Sequence, residues 1–205
     1  MTDSKRKLQI EYEATFKNVD KGRIREKLKK NGAKLVYPEF LQKRTVFHLP
    51  RGHEIKGAWL RTRKEADRIT MSLKVVDGSN IKDQKEICLK IDDYKQAELF
   101  LTSIGCIKKA YQENKREKWL LGDVEITIEE WPFLEPYVEV EGKSEEAVRE
   151  VSKKLGLDYG KAFFGSADSI IGEKYGIPVN LINDHTPLIV FGEGNPFLVH
   201  LKNKK

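Results

Sequence analysis

The sequence predicts an α+β protein: a closed eight-stranded antiparallel β-barrel with helices packed outside it. Three observations carry that prediction. Eight segments alternate in polarity and are rich in β-branched residues, roughly 8–16, 35–48, 57–65, 68–76, 84–91, 107–121, 123–130 and 136–142. Three others show helical periodicity between recognisable start and stop signals. A sheet of many antiparallel strands escapes exposed edges by closing on itself, and eight strands leave room for one small ligand. Residues 1–176 are assigned to this barrel and residues 177–205 to an appended tail of unknown role.

In chain order, the first strand is Leu8-Gln-Ile-Glu-Tyr-Glu-Ala-Thr-Phe16, in which Glu11 and Glu13 flank Tyr12. A helix over 20–31 opens at Asp20, carries Ile24 and Leu28 on one face, and stops at Asn31-Gly32. The strand over 35–48 contains Gln42-Lys-Arg-Thr-Val-Phe47, and its register leaves open whether Arg44 or Lys43 faces inward. Glu65-Ala-Asp-Arg68 reads as a hairpin that makes the next two strands adjacent. Arg61 and Arg63 then share one face, with Lys74 on the neighbouring strand. Glu86 lies on the strand that follows, before a helix over 93–104 that begins after Asp92-Asp93 and ends at Gly105.

The long strand over 107–121 carries Gln112, Asn114 and Arg116 at spacing two. Helix, glycine and long basic strand thus occur twice, a faint internal duplication. The last two strands flank a Pro-bounded turn and carry Glu129, Glu139 and Glu141. Ser144 caps a third helix with Glu145 and Glu146 in its first turn and Val148, Val151 and Leu155 on one face. Residues 157–175 read as a closing element, with Ser166 and Asp168 as helix caps. Beyond Gly176, Pro and Gly punctuate short apolar pieces that suggest loose packing on the barrel.

Charged residues make up 34% of the chain and hydrophobic residues 39%, enough apolar material for one core. No apolar run is long enough to cross a bilayer and the N-terminus shows no secretory h-region, so a cytoplasmic protein without membrane association is expected. Cys88 and Cys106 lack ligand spacing and are expected in the core, and the four histidines form no metal pattern. The net charge of +6 suits a polyanionic partner. Basic runs at 5–7 and 202–205 read as solvated termini. The basic residues inside strands alternate with acids, which argues against a nucleic-acid face.

Like charges side by side on a strand repel, so the pairs Glu11/Glu13 and Glu139/Glu141 call for a bound cation or basic partners. Alternation alone favours Arg61, Arg63 and Lys74 as solvent-facing charges on a half-exposed sheet, and Trp119, Trp131 and Tyr137 as packing residues. Facing inward instead, these groups would give a charged lumen that needs a polyanion held by Arg and Lys and bridged to the carboxylates by a divalent cation. Oxygen ligands of this kind suit Mg2+ or Mn2+.

Several motifs then converge: Glu11-x-Glu13, Leu60-Arg-Thr-Arg63, Ser72-Leu-Lys74, Glu113-Asn-Lys-Arg-Glu-Lys-Trp119, Val124-Glu-Ile-Thr-Ile-Glu129, Tyr137-Val-Glu-Val-Glu141 and Phe164-Gly-Ser-x-Asp-x-Ile170. In their order and number they make residues 8–176 resemble the CYTH superfamily of triphosphate tunnel metalloenzymes, which includes class IV adenylyl cyclases and thiamine triphosphatases. The resemblance implies a triphosphate tunnel in which Arg61, Arg63, Lys74 and Arg116, with Arg44 as an addition, hold the substrate. It implies Glu11, Glu13, Glu129, Glu139 and Glu141 as ligands of Mg2+ or Mn2+, and Lys74, Glu86 and Glu139 as the groups nearest the chemistry.

The implied activity is metal-dependent hydrolysis of a small-molecule triphosphate, inorganic, nucleoside or thiamine. An adenylyl cyclase and a non-catalytic polyphosphate or nucleotide binder are the alternatives, and a homodimer is left open. Thr15 departs from the family pattern Glu-x-Glu-x-Lys. Three outcomes stay open there: Lys17 reaches inward at the same strand parity, the substrate differs, or one contact is lost.

Overall fold

A computed structural model describes residues 8–199. The terminal basic runs and His200 lie outside the described residues. Strands β1 (Gln9–Ile10), β2 (Tyr12–Phe16), β3 (Lys34–His48), β4 (Ala58–Lys64), β5 (Ile69–Val76), β6 (Gln84–Ile91), β7 (Ile107–Leu121), β8 (Val124–Glu130), β9 (Tyr137–Gly142) and β10 (Leu188–Ile189) form one sheet. Helices α1 (Lys21–Lys30), α2 (Tyr94–Ser103), α3 (Glu145–Lys154), α4 (Ala167–Tyr175) and α5 (Val179–His185) lie between or after them. The caps fall where the sequence places them. Asp20 accepts from Arg23 N at 2.9 Å, Asp93 from Gln96 N at 2.8 Å and Ser144 from Ala147 N at 3.2 Å.

Strand order is β1-β6-β5-β4-β3-β7-β8-β9-β2, antiparallel throughout, with β10 added parallel to β7. The expected first strand is divided at Glu11. Its first piece pairs with β6 (Gln9 opposite Glu86) and its second with β9 (Glu13 opposite Glu141). One short segment therefore joins both ends of the sheet, and this closes the barrel. At the centre β3 and β7 run antiparallel with Gln42 opposite Asn114, both fully buried. Each begins beyond a positive-φ glycine that ends a helix, Gly32 (φ 76) and Gly105 (φ 92). The internal duplication is thus a structural one, two helix-plus-strand units meeting across the middle of the barrel.

Alternation assigns the other face of the sheet to the core. Ala14, Phe16, Ile126, Ile128, Val138 and Val140 turn outward beneath Ile24 and Leu28 of α1 and Val148, Val151 and Leu155 of α3. Burying one such side chain contributes roughly 1.5–3 kcal/mol. On the other half Phe47, Leu101 and Cys106 form a smaller cluster under α2. A third cluster joins Trp131 and Tyr137 to α4, α5 and the C-terminal segment, where Ile182, Ile189 and Phe197 are almost or fully buried. The C-terminal segment is therefore anchored to the barrel through Ile177, Ile182, Ile189 and Phe197. Its apolar pieces reach the core singly rather than as a periodic face, which is why they read as loose. Cys106 is buried as expected. Cys88 is exposed, because strand parity with Glu86 turns it to the lumen.

Candidate active site in the barrel lumen

The inward faces of the strands enclose a cavity of about 450 Å³. On one side it is basic. Arg61 and Arg63 project from β4 and Lys74 from β5, with Arg44 on β3 directly opposite Arg63. Arg116 enters from β7, and all five cationic side chains are nearly enclosed. The other side is acidic, with Glu11 and Glu13 around the break between β1 and β2 and Glu139 and Glu141 on β9. Register explains the grouping, since Glu13 pairs with Glu141 and Thr15 with Glu139 across β2 and β9.

Most of the arginines have a carboxylate partner. Arg61 bonds Glu86 at 2.9 Å and the Ser72 hydroxyl at 3.0 Å. Arg63 bonds Glu65 at 2.9 Å. Arg116 contacts Glu129 and reaches Glu139 at 2.9 Å. Arg44 differs. It donates to the amide oxygens of Gln42 and Asn114, both at 2.5 Å, and lies over the Trp131 ring at 4.5 Å. Burial, then the neighbouring Arg61, Arg63 and Arg116, lowers its pKa to about 9. A guanidinium so destabilised is a strong attractor for an anion.

Ligand oxygens of Glu11, Glu13 and Glu141 all lie within 4.8 Å of one another. Burial is the first cause that raises each of their pKa values to about 7. Lys74 opposes the shift at Glu11, whereas Glu139 adds to it at Glu13 and Glu11 adds to it at Glu141. Lys74 bridges the first two, at 2.7 Å from Glu11 and 3.4 Å from Glu13. The Glu86 carboxyl is held well below the usual carboxylate range by Arg61 and Lys74, despite its burial. An all-oxygen set too crowded with negative charge to ionise freely fits a divalent cation.

Of the expected site residues, the structure brings Glu11, Glu13, Arg44, Arg61, Arg63, Lys74, Glu86, Arg116, Glu139 and Glu141 to one cavity. Glu129 stands behind it, fully buried and engaged by Arg116 and by Asn114 at 2.5 Å. Lys17 does not reach inward. It pairs with Glu173 at 2.6 Å outside the lumen, because β2 ends at Phe16 and the chain turns away at Asn18 (φ 57). Thr15 makes a two-way backbone bridge with Phe163, which brings the segment before α4 against the barrel.

Sequence reasoning passed over several cavity residues. Ser166 and Asp168 line it rather than serving only as caps, and Ser166 makes no side-chain cap bond. Trp131 and Tyr137 are packing residues as expected but also border the cavity, whereas Trp119 is a core residue whose Nε1 donates to Glu117 at 2.7 Å. Arg68, Lys90, Lys109 and Glu125 complete the charged wall. Parity with Glu129 would have indicated Glu125.

The family model for the CYTH domain matches residues 9–168, most of the chain. The chain belongs to the CYTH family. Solved structures share its fold at low identity. A proposed adenylate cyclase from Vibrio parahaemolyticus has 13% identity and a TM-score of 0.69, over 81% of this chain and 99% of its own. A conserved hypothetical protein from Pyrococcus furiosus has 22% identity and a TM-score of 0.61, over 74% and 94%. A proposed adenylyl cyclase from Hippeastrum, described as having a dominant triphosphatase activity, has 13% identity and a TM-score of 0.53, over 84% and 99%. No curated protein matches the chain. In this CYTH protein the segment that ends the family match, up to Asp168, is the one that lines the cavity beside the barrel strands.

Proposed function

We propose that this CYTH protein is a metal-dependent phosphohydrolase acting on a triphosphate-containing small molecule held in the lumen. The observation that carries the reading is the division of one cavity into a basic wall, with Arg44, Arg61, Arg63, Lys74 and Arg116 nearly enclosed in it, and a facing cluster of carboxylates. Arg44, Arg61, Arg63 and Arg116 would grip the phosphate oxygens, Arg44 most strongly because it has no carboxylate ion-pair partner among the described residues. Glu86 and Ser72 hold Arg61 in place, and Glu139 with Glu129 does the same for Arg116.

Glu11, Glu13 and Glu141, with Glu139 beside them, would hold Mg2+ or Mn2+, which neutralises phosphate charge and activates or orients water when bound. Lys74 neutralises these carboxylates without a cation and is placed to turn to the phosphates once one is bound. Phosphoryl transfer asks mainly for positioning and charge neutralisation, and the enclosed lumen supplies both.

The test is product analysis after incubation with inorganic triphosphate, ATP and thiamine triphosphate, each with Mg2+ or Mn2+. Phosphate release supports hydrolysis and ranks the substrates. Cyclic AMP with pyrophosphate would replace the reading by a cyclase, and tight binding without turnover by a binding module. Glu139→Gln is expected to lower metal-dependent turnover by about a hundredfold or more while the protein stays folded. Full activity in that variant removes Glu139 from the site.

A further inference from the structure

Glu65 lies in the β4–β5 hairpin, where solvent-facing polar residues are the rule. Its backbone N–H donates to Arg68 O at 2.9 Å and closes the turn. Yet its side chain is only 7% exposed, folded back on the lumen face at the same strand parity as Arg61 and Arg63. One carboxylate oxygen accepts from Arg63 Nε at 3.1 Å, lies 2.9 Å from Arg63 Nη2, and accepts from the Thr70 hydroxyl at 3.3 Å. The other accepts from Arg68 Nη2 at 3.2 Å. A single buried carboxylate therefore ties two cavity-lining arginines together.

Arg63 needs such a tether. Arg44 is its direct cross-strand neighbour, and Arg61 and Arg116 also press charge upon it. Like charges at this spacing repel. Glu65 is the sole ion-pair partner of Arg63 among the described residues. The contact uses Nε and Nη2, and among the described residues Nη1 has no hydrogen-bond or ion-pair partner. The same holds for Nη1 of Arg68, whose side chain is 40% exposed at the rim.

We propose that Glu65 is a positioning residue that holds Arg63 and Arg68 as a paired clamp on one phosphate group of the substrate at the hairpin mouth of the lumen. Arg68 is then a phosphate contact in its own right. The inference rests on the lumen being the triphosphate site. It adds that one phosphate is gripped by a pair whose geometry is set by a carboxylate that never touches the substrate.

The test titrates wild type, Glu65→Gln, Arg68→Gln and the double variant with inorganic triphosphate and Mg2+ in a calorimeter, alongside kcat and KM. Glu65→Gln is expected to raise Kd and KM about tenfold, the loss expected for a charge-assisted hydrogen bond, with kcat within about twofold of wild type. Arg68→Gln is expected to raise KM about threefold, since it is partly solvated, and the double variant to be no worse than Glu65→Gln. Unchanged binding in Glu65→Gln, a fall in kcat at constant KM, or full additivity overturns the clamp and leaves the lumen reading standing. Should Glu65→Gln fail to fold, an unchanged KM in Arg68→Gln overturns it. A wild-type protein that binds no triphosphate overturns the lumen reading itself.

Discussion

Glu13 is buried among charges of its own sign, so its ionised form weighs against the stability of the fold. With its pKa raised from 4.5 to about 7, and those of Glu11 and Glu141 likewise, the folded protein favours the protonated carboxyls. That contribution is present in full below about pH 4.5 and is lost as pH rises through about 7. The metal-free protein should therefore lose thermal stability across this window, and on the proposed assignment Mg2+ should restore it most at the alkaline end, where the three carboxyls are ionised. Glu13→Gln should stabilise the metal-free protein at pH 8 by something on the order of 1–3 kcal/mol and abolish the Mg2+-dependent rise in Tm. A Tm that is flat with pH, or a Glu13→Gln variant that still responds to Mg2+, contradicts the assignment. The acidic pairs were legible in the sequence because spacing of two fixes a shared face. Glu65 was not, although it has the same parity, because a turn position carries no expectation of burial.

Among the elements, the strands were legible almost to the residue and the C-terminal segment was not. Alternation persists along each strand because one face meets core and the other the lumen, and a charged lumen resembles solvent in sequence. That likeness also explains why the arginines of β4 read first as surface charges. In α4 and α5 the buried residues answer to several partners at once, so no simple period survives. Ile182 and Phe197 support the α4 region, whose first turn lines the cavity. Ile182→Ala should cost about 2–5 kcal/mol as a cavity-forming change. Removing residues 177–205 should lower Tm and raise KM for triphosphate together, as measured by thermal denaturation and steady-state kinetics. A truncated protein with wild-type KM would detach this segment from the site.

For the whole molecule, charge is sorted by direction: the lumen gathers cations on one wall and carboxylates on the other, within a protein of net charge +6. A basic wall in a low-dielectric channel draws anions inward, so kcat/KM for triphosphate should fall steeply with ionic strength at constant free Mg2+. A salt-independent kcat/KM would argue that capture takes place elsewhere. The closure of the barrel could not be read from alternation, since the division of the first strand at Glu11 depends on where both ends of the sheet arrive. That division also has a temporal side. During synthesis β1 and β2 emerge first, yet their partners β6 and β9 come much later in the chain. Contacts so remote in sequence form slowly. The seam should be the last part of the barrel to zip, and Glu13 meets Glu141 only at that step. A nascent chain short of β9 would carry all the lumen arginines but lack Glu139 and Glu141, half of the acidic cluster that faces them.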